Sequence, residues 1–178
     1  MERNPARCPA PHNFRPAGNV KHPKLELTEP QFRKMRKTNV QLAGLSYERR
    51  AQKYLQAAFP HHYIAGPWFS FCRGDSLQRD WCQPDGLLID IVAGLITLIE
   101  IKLRHTSDAW WQTRHLYLPV ISAFFGTEMW KFNILEIVRW YDPDTQFPER
   151  YHLVPQVGIL QPDKFGVHIW KPRKEEKK

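Results

Sequence analysis

The chain predicts a single α/β domain with a mixed central β-sheet flanked by helices. Two segments of helical character, 46–59 and 107–125, enclose three of strand character, 62–72, 86–92 and 95–103. A further strand at 131–140 gives the order α-β-β-β-α-β, and alternation of this kind builds layered α/β folds. The 178 residues are 42% apolar, enough for one proper core, and no repeat or low-complexity run marks a second domain.

Residues 1–27 are rich in Pro, Asn and Arg and lack apolar periodicity, so they read as an extended arm. A basic helix is expected over 28–42, with Thr28 and Gln31 as a capping box and Pro30 in the first turn. Its Arg33, Lys34, Arg36 and Lys37 span most of the circumference and suit a phosphate backbone. The same segment also reads as a solvated helix pinned by Phe32, Met35 and Leu42. The helix at 46–59 carries Tyr47, Ala51, Tyr54, Leu55 and Ala58 at helical spacing, with Ser46 as N-cap. The apolar runs 87–92 and 95–103 are rich in β-branched residues, and Ala93-Gly94 between them reads as a hairpin turn. Strands at 150–154 and 166–170 follow that at 131–140. The expected division is a basic arm plus helix at 1–43, the core domain at 44–170 and a basic tail at 171–178.

The chemistry concentrates between Pro84 and Lys102. A Pro84-Asp85-Gly86 turn opens one strand of the hairpin and Glu100-Ile101-Lys102 closes the other. With a two-residue loop, Asp85 faces Lys102 and Leu87 faces Glu100. Strand alternation then puts Asp85, Glu100 and Lys102 on one side of the sheet and Asp90 on the other. A four-residue loop keeps this parity, whereas a three-residue loop without a bulge turns Asp85 away and leaves Asp90 as the fallback ligand. Neighbouring carboxylates repel as anions, and a shared proton or a divalent cation resolves the repulsion. Oxygen-only ligands favour Mg²⁺ or Mn²⁺ over zinc. Asp85, Glu100 and the Ile101 carbonyl would hold such a metal, with positions left for water and a phosphate oxygen. Lys102 would orient that water or offset charge on pentacovalent phosphorus. The expected reaction is metal-dependent phosphodiester cleavage.

Pro84-Asp85 followed by Glu100-Ile101-Lys102 after an apolar strand resembles the PD-(D/E)xK nuclease superfamily over residues 44 to 142, and Pro84-Asp85-Gly86-Leu87 is most similar to its lambda-exonuclease and RecB-like branch. The resemblance implies a restriction-endonuclease-like core, with Asp85 and Glu100 as metal ligands and Lys102 as the catalytic lysine. It also implies an acidic residue on the preceding helix, for which Glu48 is available. Glu48 has a second reading, a favourable charge in the first turn of that helix. A glutamine and a tyrosine are implied on the following helix. Gln112 and Tyr117 supply them but stand five apart rather than four, which favours Gln112 as the contact to water or phosphate and Tyr117 as a packing residue.

The net charge of +8 suits a polyanion, and DNA is the expected partner. Beyond the basic helix, Arg49, Arg104 and Arg114 are candidate contacts. Trp110 and Trp111 point about 100° apart on a helix. Trp111 is the candidate to stack on a base, although core packing is the default for both and for Trp130, Trp140 and Trp170. His105 and His115 flank the site as phosphate contacts, general acids or ordinary packed histidines. A homo-oligomer, or a virion or packaging partner that orders the termini, is the further expectation. The competing functional reading is a non-catalytic nucleic-acid-binding or head-completion protein, since some phage head-completion proteins resemble this nuclease family.

Cys8, Cys72 and Cys82 are too few and too scattered for a zinc ribbon, a disulfide framework or a four-cysteine cluster. No Gly-x4-Gly-Lys-Ser/Thr loop is present to bind a nucleotide for motor work. No apolar run approaches 18 residues and no signal segment opens the chain, so a cytoplasmic or virion-associated protein is expected, with no membrane partner.

Overall fold

The apolar runs at 86–104 and 131–140 become the middle of a mixed six-stranded sheet, the position that burial on both faces requires. The computed structural model describes residues 10–30, 38–142, 147, 149–158 and 160–172. Among these the chain runs β1 (Val20–Glu26), α1 (Asn39–Ala58), β2 (Tyr63–Ala65), β3 (Trp68–Arg73), β4 (Arg79–Cys82), β5 (Gly86–Asp90) and β6 (Leu95–Arg104). It continues with α2 (Ser107–Gln112), a π-helical turn (Thr113–Tyr117), α3 (Leu118–Phe125), β7 (Lys131–Trp140), β8 (His152–Leu153) and β9 (Phe165–Ile169).

The large sheet has the order β2-β5-β6-β7-β9-β8. Its first three strands are antiparallel and the rest are parallel, so the sheet is mixed as expected. A smaller antiparallel sheet, β1-β3-β4, shares one face of the large sheet with α2 and α3. There Phe69, Phe71, Leu87, Ile96, Leu98, Tyr117, Val120 and Ile134 form one core cluster. The opposite face holds α1, whose Tyr47, Ala51 and Leu55 pack on Ile99, Ile101, Leu135 and Ile137. Among the described residues no helix is long and apolar enough to cross a membrane.

Three boundaries differ from the sequence expectation. The strand expected at 62–72 divides into β2 and β3, which belong to different sheets, because Gly66 turns the chain with φ 48°. The arm at 1–27 contributes to the core: Ala17 is fully buried and β1 pairs with β3. Its apolar pattern is interrupted at His22-Pro23, where the register shifts and His22 takes φ 52°, a bulge on an edge strand that tolerates proline. The first helix starts at Asn39 rather than 46, capped by Thr38 and Gln41 in a reciprocal capping box. Residues 28–30 are not helical and Leu42 belongs to α1. Arg33, Lys34, Arg36 and Lys37 lie outside the described residues.

Candidate active site

The β5-β6 loop has four residues, Ile91 to Gly94, because Asp90 pairs with Leu95. That length preserves the parity expected for Asp85, and the last pair, Gly86 with Ile99, places Asp85 opposite Glu100 one step further on. Asp90 instead accepts the Ala93 N–H at 2.9 Å within the loop and is exposed, so it stabilises the turn away from the carboxylates.

Asp85 is fixed by the end of the β5 ladder. Ile101 N–H, with no strand residue left to pair with on that side, donates to Asp85 Oδ2 at 2.6 Å. The side chain of Ile101 lies buried in the α1-side core. The Asp85 carbonyl accepts from Tyr63 Oη at 3.2 Å and from Gln52 Nε2 at 3.2 Å. Gly86 has no left-handed φ; its missing Cβ makes room for the Tyr63 ring, which such a carbon would meet at 2.4 Å. The glycine of the Pro-Asp-Gly motif thus seats Tyr63 under Asp85.

Lys102 Nζ donates to Glu100 Oε1 at 2.5 Å. Glu100 is 1% exposed, whereas the Lys102 side chain is 34% exposed and connects the site to solvent. Glu100 Oε2 is buried and has no hydrogen-bond partner among the described residues. Burial, then the charge of Asp85, pushes the Glu100 carboxyl up to about 8. Burial also raises Asp85, against the pull of Lys102 and the Ile101 N–H. Burial works against the Lys102 ammonium, but Glu100 and Asp85 together outweigh it and hold its pKa above the ordinary lysine value.

A third carboxylate, absent from the sequence reading, extends the row. Glu136 on β7 is in register with Glu100 on β6, so the two share a face of the sheet, and Glu136 is fully buried. His105 Nδ1 lies 2.5 Å from its Oε2, and the His105 ring stacks on Phe147 at 3.9 Å. His105 is therefore a core residue. Burial raises the Glu136 carboxyl, while His105 opposes the shift. The signal in the sequence was one carboxylate inside the apolar core of a ten-residue strand.

Glu48 lies in the middle of α1, which has no acidic residue in its first turn, so the helix-terminus reading of this residue does not hold. Gln52 Nε2 donates to Glu48 Oε1 at 3.3 Å as well as to the Asp85 carbonyl, which brings Glu48 to the edge of the carboxylate row.

The offset between Gln112 and Tyr117 has a structural origin. On an α-helix, residues five apart diverge by about 140°, but the π turn at Thr113–Tyr117 absorbs one extra residue. Thr113 Oγ1 stabilises it by donating to the Ala109 carbonyl at 2.7 Å. Tyr117 is buried, as a packing residue would be, and also lies within the fields of Glu100 and Asp85. Burial, then those two charges, raises its pKa well above the tyrosine value and keeps its hydroxyl a donor. Gln112 is half-buried at the end of α2.

The candidate nucleic-acid contacts separate. Arg49 and Arg104 are exposed. Arg114 is engaged by Glu149, with Nε 3.0 Å from Oε1. Trp111 stacks on His115 at 4.6 Å and is partly buried. Trp140 departs from the expected core packing, being 52% exposed.

Asp85 and Glu100 supply hard oxygen donors, and Glu100 Oε2, which the Lys102 contact to Oε1 leaves without a partner among the described residues, fits a bound cation. Among the described residues no three His, Cys, Asp or Glu side chains form a metal-binding group. A two-carboxylate set suits Mg²⁺, which keeps several waters and takes substrate phosphate as a further ligand. Comparison with protein-family models, with curated proteins and with solved structures returned no match.

Proposed function

We propose that this chain is a Mg²⁺-dependent deoxyribonuclease of the PD-(D/E)xK type, with Mn²⁺ as an alternative metal. The observation that supports it most is the alignment of Asp85 and Glu100 from adjacent strands on one sheet face, with Lys102 at 2.5 Å from Glu100. Asp85 and Glu100 would hold the metal, with the Ile101 carbonyl and Glu48 as further candidate ligands. The metal, when bound, polarises the phosphate and acidifies bound water. Lys102 orients the attacking water and offsets charge gathering on the phosphoryl oxygens, and the protonated Tyr117 hydroxyl is a second donor beside the carboxylates. The +8 net charge draws the polyanionic substrate. Action in the cytoplasm or within a virion is consistent with this reading.

A second reading, nucleic-acid binding or virion assembly without cleavage, draws on the enclosure of Glu100 at 1% exposure. Incubating purified protein with linear and covalently closed circular DNA in Mg²⁺, Mn²⁺ or EDTA separates the two. The nuclease reading expects metal-dependent cutting that Glu100→Ala and Lys102→Ala abolish, and the circular substrate reports endonucleolytic action. A folded wild type that binds DNA and cuts neither substrate favours the second reading.

A further inference from the structure

Past the carboxylates, the same face of the sheet continues to its carboxy-terminal end. Strand alternation puts Trp140 on the face of Glu136, four residues or about 13 Å further along β7. Arg104 pairs with Trp140 across the parallel β6-β7 ladder and follows Lys102 on that face. Lys102, Arg104 and Trp140 thus form a strip leading outward from the site. The Arg139 guanidinium carbon lies 5.4 Å from the Trp140 ring centroid and Lys171 Nζ lies 5.6 Å from it. Arg104, Arg139 and Lys171 are all exposed, and among the described residues none is in an ion pair.

An indole with half its surface in water, with two cations over its ring and a third beside it on the ladder, none of them in an ion pair among the described residues, has little to contribute to the core. Its charge and shape suit a chain of phosphates carrying planar bases. Cations track such a backbone without regard to sequence, and the ring takes a base by stacking. A paired base is already stacked in its duplex and cannot lie flat on the ring without being unpaired. We infer that Trp140, with Arg104, Arg139 and Lys171, is a stacking platform for single-stranded DNA, such as an unpaired end, whose backbone runs toward the carboxylate row. What the bound strand is presented for rests on the nuclease reading; the binding itself does not.

The test is fluorescence anisotropy of a labelled oligothymidylate and of a blunt duplex of equal length, both in EDTA so that no cutting intervenes. Trp140→Ala is expected to weaken single-strand binding about tenfold or more while Trp140→Phe keeps most of it, given the usual strength of base-aromatic stacking. Duplex binding is expected to change by less than about threefold, because its backbone contacts remain. Equal single-strand affinity for wild type and Trp140→Ala would overturn the platform, as would equal losses on both DNAs. If Trp140→Ala melts early, the double variant Arg139→Gln/Lys171→Gln replaces it: the platform requires weaker single-strand binding and a shallower salt dependence, and unchanged binding refutes it. A protein that binds single strands through Trp140 yet cuts nothing keeps the platform and loses the nuclease reading. A nuclease whose Trp140→Ala form binds oligothymidylate normally does the reverse.

Discussion

Replacing Glu100 by glutamine is expected to stabilise the fold while removing its chemistry. Glu100 is 1% exposed, and its carboxyl is raised from an ordinary 4.5 to about 8 by burial first and Asp85 second. A carboxyl raised on folding leaves stability intact below the unfolded value, withdraws it as pH rises between the two values, and levels off above the folded one. The slope is about 1.4 kcal/mol per pH unit. At pH 7, some 2.5 units above the unfolded value, this one group therefore costs about 3 kcal/mol. A glutamine side chain has no such proton to lose. The pull of Lys102 on the carboxylate is already contained in that raised value, and the Lys102 side chain, 34% exposed, reaches water once its partner is gone. The resulting gain of about 3 kcal/mol corresponds to a rise of about 6–12 °C in Tm for a chain of this size. Urea or thermal melts of both proteins from pH 5 to 9 in EDTA provide the assay. The difference is expected to be small at pH 5 and full by pH 8, with a residual slope in the variant because burial also raises Asp85 and Glu136. A Glu100→Gln protein less stable than wild type at pH 7, or parallel pH curves, would refute the reasoning.

Two further perturbations probe the surroundings of the row. Gly86→Ala puts a carbon 2.4 Å from Tyr63 Cε2 and 2.6 Å from its hydroxyl, so the buried ring must move; a loss of about 1–3 kcal/mol is expected in the urea midpoint, and an unchanged midpoint contradicts the seating of Tyr63 under Asp85. Tyr117→Phe keeps the packing and removes the hydroxyl held near Glu100 and Asp85, so stability is expected to hold within about 1 kcal/mol while the single-turnover cleavage rate falls on the order of 100-fold. A full cleavage rate would restrict Tyr117 to packing.

The strands that build the row were legible because β5, β6 and β7 are largely apolar on both faces and β6 and β7 carry several β-branched residues, and such runs have few alternatives to a sheet centre. The face shared by Asp85 and Glu100 depended only on an even-numbered loop, which the sequence allowed. β1 was not legible: Lys21, Pro23 and Lys24 interrupt its pattern, and its partner β3 is distant in sequence, so the pairing is a tertiary effect. The start of α1 was obscured by Gly44 and the exposed residues around it, although Thr38-x-x-Gln41 obeys the capping rule applied at Thr28. Glu136 was hidden in plain view, since a strand pattern records which residues are apolar and does not ask why one is charged. The five-residue spacing of Gln112 and Tyr117 became intelligible only with the π turn, a local insertion that α-helical periodicity cannot represent.

The most direct test of the central claim is cleavage of linear DNA in Mg²⁺ by Glu100→Gln protein already shown to be folded and to bind DNA. The carboxylate row predicts that this protein melts no earlier than wild type, retains DNA and cuts none of it, while wild type cuts only with metal present. Cleavage by the variant at the wild-type rate would contradict a role for Glu100, and with it the placement of the reaction between β5 and β6.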